Sequence, residues 1–212
     1  MTGKKILILS PHTDDAELGC GGSISKFIEG GNEILWVVFS SCEESLPKGL
    51  SRDTLRKEFI KVTKSLGLGK DNYKIFGYNV RHLTEKRQHV LERLIKIRDD
   101  FQPTLVLTPS LNDYHQDHHV VTHETIRAFK TNASIIGYEL PWNHITFDTN
   151  LFVRLEKRHI EKKYDLLKNY ESQLTKGRNY FSKEYIFGLA NVRGTQCNSS
   201  FAEAFEVIRW MM

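Results

Sequence analysis

Apolar residues along this chain recur with two periods, and the alternation between those periods predicts a fold. Four short runs have β character: Lys5-Leu9, Glu33-Ser40, Tyr73-Phe76 and Leu105-Thr108. Between them the apolar positions return every three or four residues, as on one face of a helix. Leu55, Phe59, Val62 and Leu66 keep this spacing up to a stop at Gly67, and Val90, Leu94, Ile97 and Phe101 repeat it before Pro103. Strands alternating with helices predict an α/β fold, a Rossmann-like and mostly parallel sheet with helices on both faces. The unbroken stretch Ile34-Leu35-Trp36-Val37-Val38-Phe39 predicts a strand buried on both sides. Residues 133–140 read as a further strand, 156–170 as a helix with Ile160, Tyr164 and Leu167 on one face, and 202–210 as an edge strand.

Composition narrows the class. With 212 residues, 40% of them hydrophobic, and no linker, repeat or low-complexity tract, the chain is expected to form a single domain over 1–212. The N-terminal apolar stretch is too short for a signal-peptide core, and no run approaches the ~20 residues that span a bilayer. A cytoplasmic protein without an integral membrane segment is expected. Cys20, Cys42 and Cys197 are odd in number and far apart, without a Cys-x-x-Cys pair, which predicts reduced thiols. The net charge of +4 is spread along the chain and forms no basic block, so nucleic acid is not favoured as a partner, while a small anionic substrate stays open.

The chemistry is concentrated after the first strand, in Ser10-Pro11-His12-Thr13-Asp14-Asp15 with Gly19, Gly21 and Gly22 close behind. A single Asp here would be read as a helix cap. Capping does not explain His12, Asp14 and Asp15 together. A dinucleotide loop fits poorly, because Gly-Cys-Gly-Gly lacks the Gly-x-Gly-x-x-Gly spacing and two carboxylates would face the pyrophosphate. A metal site needs donors from a second segment, and Leu105-Thr108 is followed by His115-Gln116-Asp117-His118-His119. In an open parallel sheet, ligands bind beyond the carboxyl ends of strands where successive connections diverge, so the first and fourth strands are expected to flank the crevice.

With both motifs in view, the chain resembles the PIG-L/LmbE-like zinc-dependent N-deacetylases, the superfamily of GlcNAc-phosphatidylinositol de-N-acetylases. The resemblance rests on Pro11-His12-Thr13-Asp14-Asp15 with Leu18-Gly19 and Gly21-Gly22, and on His115-Gln116-Asp117-His118. Weaker similarity runs through Leu55-Arg56-Lys57-Glu58, Tyr170-Glu171-Ser172-Gln173, Arg193-Gly194 and Phe201-Ala202-Glu203-Ala204-Phe205. It implies that His12, Asp15 and His118 bind one zinc ion per chain, that Asp14 is the general base, and that His115 stabilises the oxyanion with Asp117 as its partner. Thr13 stands where the family commonly has proline or alanine. Phe201 stands where it often has tyrosine, leaving open any contact by that hydroxyl.

These residue types suit amide hydrolysis on chemical grounds as well. A catalytic zinc keeps three protein ligands and an open position, and the reaction further needs a base for water and a donor for the developing oxyanion. Asp117 is expected to hold the His115 imidazole protonated and oriented. The expected reaction is removal of acetyl from an N-acetylated amino sugar or sugar conjugate. The alternatives are another small N-acyl amine as substrate, or a non-catalytic sugar- or nucleotide-binding module. Phosphoester hydrolysis would more naturally use two metals. Arg56 and Trp142 are candidates for substrate binding, with Lys48 and Arg52 beside Arg56 as a group suited to a phosphate, and Trp142 suited equally to stacking on a sugar or to core packing. Homo-oligomerisation stays open.

Overall fold

The computed structural model describes residues 2–211. In chain order the helices and strands are β1 (Lys5–His12), α1 (Asp15–Glu29), β2 (Glu33–Ser40), α2 (Thr54–Ser65), β3 (Tyr73–Ile75), α3 (Arg87–Phe101) and β4 (Leu105–Pro109). They continue as α4 (Gln116–Phe129), β5 (Ser134–Tyr138), β6 (Leu151–Leu155), α5 (Lys157–Leu167), α6 (Glu171–Leu174), α7 (Lys183–Gln196) and β7 (Phe201–Arg209). Among the described residues the strands form one seven-stranded sheet in the order β3-β2-β1-β4-β5-β7-β6. The strands from β3 to β5 pair in parallel, and β7 runs antiparallel to both β5 and β6.

Alternation along the central strands separates two cores. Ile6 and Ile8 of β1, Trp36 and Val38 of β2, and Leu107 of β4 face α1, α2, α5 and α7. Leu7, Leu9, Val37 and Val106 face α3 and α4. All six of the residues Ile34 to Phe39 are buried, as the unbroken apolar run predicts. On α2, Leu55, Phe59, Val62 and the following Leu66 are buried together, and Gly67 takes a φ of +74° that ends the helix.

The first two crossovers lie on one face and α3 and α4 on the other, so the direction of winding reverses between β1 and β4, which are direct neighbours. A crevice therefore opens at their carboxyl ends.

The C-terminal part differs from expectation. Residues 201–209 do not form an edge: β7 lies between β5 and β6, and β6, which the apolar pattern does not announce, takes the edge. The reason is in the burial. Ala202 to Phe205 are covered on both faces, whereas the outer strand β6 is only half-buried through most of its length.

The glycines after the first motif serve close packing. A Cβ at Gly19 would lie 2.4 Å from Tyr138 Cδ2, and one at Gly22 would lie 2.7 Å from Leu155 Cδ1. The helix is also broken at Cys20, whose φ of −148° is not helical. The backbone N–H groups of Gly22 and Ser23, freed by that break, donate to the Glu203 carboxylate of β7 at 3.1 and 2.6 Å. Lys163 of α5 donates to the same carboxylate at 2.7 Å, and both side chains are buried.

Candidate active site

β1 delivers His12 at its last position, and α1 begins three residues later at Asp15. Across the β1–β4 junction, α4 presents His118 in its first turn. Three donor atoms meet: His12 Nδ1 is 3.1 Å from Asp15 Oδ2, His118 Nε2 is 3.2 Å from the same oxygen, and the two nitrogens are 3.2 Å apart. Ligand atoms ~2.1 Å from a tetrahedral ion lie about 3.4 Å from one another, so this triangle is the right size to hold one.

The opposite ring nitrogens are held by carboxylates. His12 Nε2 lies 3.0 Å from Asp117 Oδ2, and His118 Nδ1 lies 2.6 Å from Asp113 Oδ2. Each contact puts the ring proton on the outer nitrogen and turns a lone pair inward. Two inward lone pairs at 3.2 Å beside a buried carboxylate call for a proton or a cation between them. The acid–base behaviour of the metal-free site agrees. Burial works against a charged His12, but Asp15 and Asp117 raise it to about 9, and Asp15 and Asp113 likewise raise His118 to about 10 against its burial. Burial would lift Asp15, yet His118 and His12 hold it well below the usual carboxylate range. The donor set fits a divalent cation.

Asp14 sits at the helix N-cap position, but its side chain makes no capping bond. Burial, reinforced by the neighbouring Asp15 carboxylate, raises it to about 6. The helix-cap reading therefore fails for Asp14, and a carboxylate poised near neutrality is left in the cavity.

His115 has its own arrangement. Its ring nitrogens, with those of His12 and His118, offer donor atoms within 4.8 Å of one another, a looser set than the triangle containing Asp15. His115 Nδ1 accepts the Asp117 backbone N–H at 3.2 Å, capping α4 and leaving the proton on Nε2. The expectation that the Asp117 carboxylate holds His115 protonated is corrected here. That carboxylate accepts from His12, from the Arg81 N–H at 2.5 Å and from the Leu83 N–H at 3.1 Å. Its oxygens are taken up by those donors, and burial, with His118 and His12 nearby, pushes His115 down to about 4. His115 is a neutral donor.

A cavity of about 310 Å³ opens over these groups, with Trp142, Tyr180, Lys176 and Arg178 on its walls. A larger hollow, about 570 Å³, opens beside Phe76 and Tyr78, but the donor triangle is not in its lining. Trp142 stacks on Tyr180 with ring centroids 3.9 Å apart and a 14° angle between planes. Arg56, by contrast, is exposed on α2 and does not line the cavity, although its neighbour Leu55 does. Lys48 and Arg52 are exposed as well, and Arg52 pairs with Glu43 at 3.1 Å. The basic group read from residues 48–56 is therefore not at the site. Sequence reasoning missed Asp113, although it stands two residues before His115, and missed Lys176, Arg178 and Tyr180, which carry no metal-ligand pattern.

Residues 7–129 match the family described as GlcNAc-PI de-N-acetylase, PIG-L, more than half of the chain. The chain belongs to the PIG-L family. A relative in Escherichia coli K12, the uncharacterized deacetylase YaiS, is 29% identical over 172 residues, covering 80% of this chain and 91% of its own length. The PIG-L fold is matched by the N,N'-diacetylchitobiose deacetylase of Pyrococcus horikoshii, with a TM-score of 0.79, 20% identity, and coverage of 97% of this chain and 84% of that one. It is matched equally by GalB of Pseudomonas putida KT2440, a 4-carboxy-2-hydroxymuconate hydratase, with a TM-score of 0.81, 21% identity, and coverage of 99% and 98%. One fold thus hosts two reactions, and the chemistry of this PIG-L member has to be argued from its own site.

Among the described residues no helix is long and apolar enough to cross a membrane.

Proposed function

We propose that this chain is a zinc-dependent hydrolase that removes the N-acetyl group from an N-acetylated amino sugar or sugar conjugate. The observation that carries the reading is the donor triangle of His12, Asp15 and His118 with Asp14 in the same cavity but outside the triangle. Those three residues would hold one zinc ion per chain, which when bound supplies the Lewis acidity that polarises an amide carbonyl and acidifies water. Asp14 takes the proton of the attacking water as its oxygen bonds to the acetyl carbon. His115 donates its Nε2–H to the carbonyl oxygen as negative charge develops there. The C–N bond then breaks, Asp14 returns the proton to the leaving nitrogen, and acetate and a free amine result. Asp117 and Asp113 act indirectly, by orienting the two imidazoles of the triangle.

Family membership and the relatives' printed activities support hydrolysis of an N-acetyl bond. The test is acetate release from N-acetylglucosamine derivatives and simple acetamides by zinc-loaded and chelated protein. Zinc-dependent acetate release with a sugar substrate is expected. Release from simple acetamides alone would move the substrate to another N-acyl amine, and no release from any of them would defeat the reading.

A further inference from the structure

The cavity walls carry a charge pattern that the deacetylation reading does not use. Asp14 and Asp15 supply the carboxylates of its lining, whereas Arg81, Lys176 and Arg178 supply three cations. Asp113 and Asp117 lie behind the histidine rings, fully buried, with their oxygens engaged by N–H donors. With a divalent cation in the triangle, the charges of Asp14 and Asp15 are balanced and the three basic side chains are left over. Among the described residues no carboxylate comes within 4.0 Å of any of them, unlike Arg52, Arg87, Arg158 and Arg193, which all have acidic partners.

Two of the three are held in place. Lys176 Nζ donates to the Ser45 carbonyl at 3.2 Å and to Gln173 Oε1 at 3.0 Å, which leaves one ammonium proton to donate. Arg178 donates to the Tyr180 hydroxyl at 2.5 Å and lies over that ring, 5.6 Å from its centroid. Tyr180 in turn supports Trp142, which is 38% exposed and so keeps a face for a ligand. Along one wall the order is an aromatic face, a guanidinium and an ammonium. Such a wall suits a pyranose ring on the indole with an anionic substituent reaching the cations.

We propose that the substrate is an anionic N-acylated sugar, carrying a phosphate or carboxylate that Lys176 and Arg178 bind, with Arg81 contributing to the field. This inference rests on the deacetylation reading. It relocates the basic group from residues 48–56 to the loop after α6.

The experiment compares N-acetylglucosamine 1-phosphate, N-acetylmuramic acid and uncharged N-acetylglucosamine with the zinc-loaded full chain. Binding is measured by calorimetry and turnover by acetate release. At least one of the two acids is expected to bind about tenfold or more tighter than the neutral sugar, with a preference that weakens as salt is raised. The phosphate and carboxylate arms identify which anion fits. K176Q and R178Q should each cut the ratio of charged to neutral binding several-fold, while R56Q, outside the cavity, keeps the wild-type ratio. Acetate release with no preference for either acid overturns the inference and leaves deacetylation standing. A binding preference without acetate release overturns deacetylation and keeps the ligand class. A ratio that R56Q lowers as much as R178Q would assign the preference to general surface charge and overturn the proposal.

Discussion

Asp14 and Asp15 are adjacent and have opposite fates. Asp15 is held ionised by two imidazoles, while burial and the charge of Asp15 raise Asp14 to about 6. A base must be ionised to accept a proton, so kcat/KM should be flat above that value and fall about tenfold per pH unit below it. Asp14→Asn should keep its zinc, abolish this acid limb and lower kcat by ~10²- to 10⁴-fold, checked by a pH–rate profile with metal analysis on the same sample. His118→Ala and His115→Ala should fail differently. The first should lose zinc under mild chelation, and the second should retain it and lose ~10²- to 10³-fold mainly in kcat, as befits a donor to developing charge. For Asp117→Asn the structure directs attention to metal affinity and away from the protonation of His115. Its carboxylate orients His12, so chelator competition should show zinc bound ~10- to 100-fold more weakly. These roles were only partly legible. Residue types and strand-end position pointed to His12, Asp15 and His118, but which imidazole a carboxylate faces is set by α4 geometry, which puts the Asp117 backbone against His115 and its side chain elsewhere.

At the scale of elements, α1 is a helix that restarts. The break at Cys20 leaves new amide donors at Gly22 and Ser23, and Glu203 accepts them while pairing with Lys163. Replacing one member of a buried ion pair leaves the other charge without compensation, so Glu203→Gln should destabilise the fold by ~3–5 kcal/mol in denaturant unfolding. Adding Lys163→Met to that variant should recover part of the loss, because no stranded ammonium remains. Helices α2 and α3 were readable from spacing because each lays a single apolar face on the sheet. The end of the sheet was not readable in the same way. Phe201-Ala202-Glu203-Ala204-Phe205 alternates as an edge strand would, yet the inward acid is satisfied by α1 and α5, and the small alanines admit cover on a second face. β6, five residues long and half-exposed, carries too little apolar pattern to stand out from a loop.

The whole molecule brings its chemistry together where the sheet changes its direction of winding, and that junction was predictable from strand order alone. The donors come from both sides of it, so the metal ties together the β1–α1 and β4–α4 units, segments about a hundred residues apart in the chain. Chelated protein should accordingly unfold at lower denaturant than zinc-loaded protein, with the difference restored by adding zinc and absent in His118→Ala.

The position of β7 has a further consequence, for the order in which the protein can be built. β6 pairs with β7 alone, and β7 is the later of the two to leave the ribosome. Until it does, β6 has no sheet neighbour, β5 has an open side, and the restarted half of α1 waits for an acceptor 181 residues further along. Synthesis therefore finishes on a wedge. The last strand enters between two that are already waiting and, in the same movement, locks the first helix, so a nascent chain stopped at residue 200 holds every proposed metal donor and still lacks the clasp that sets them.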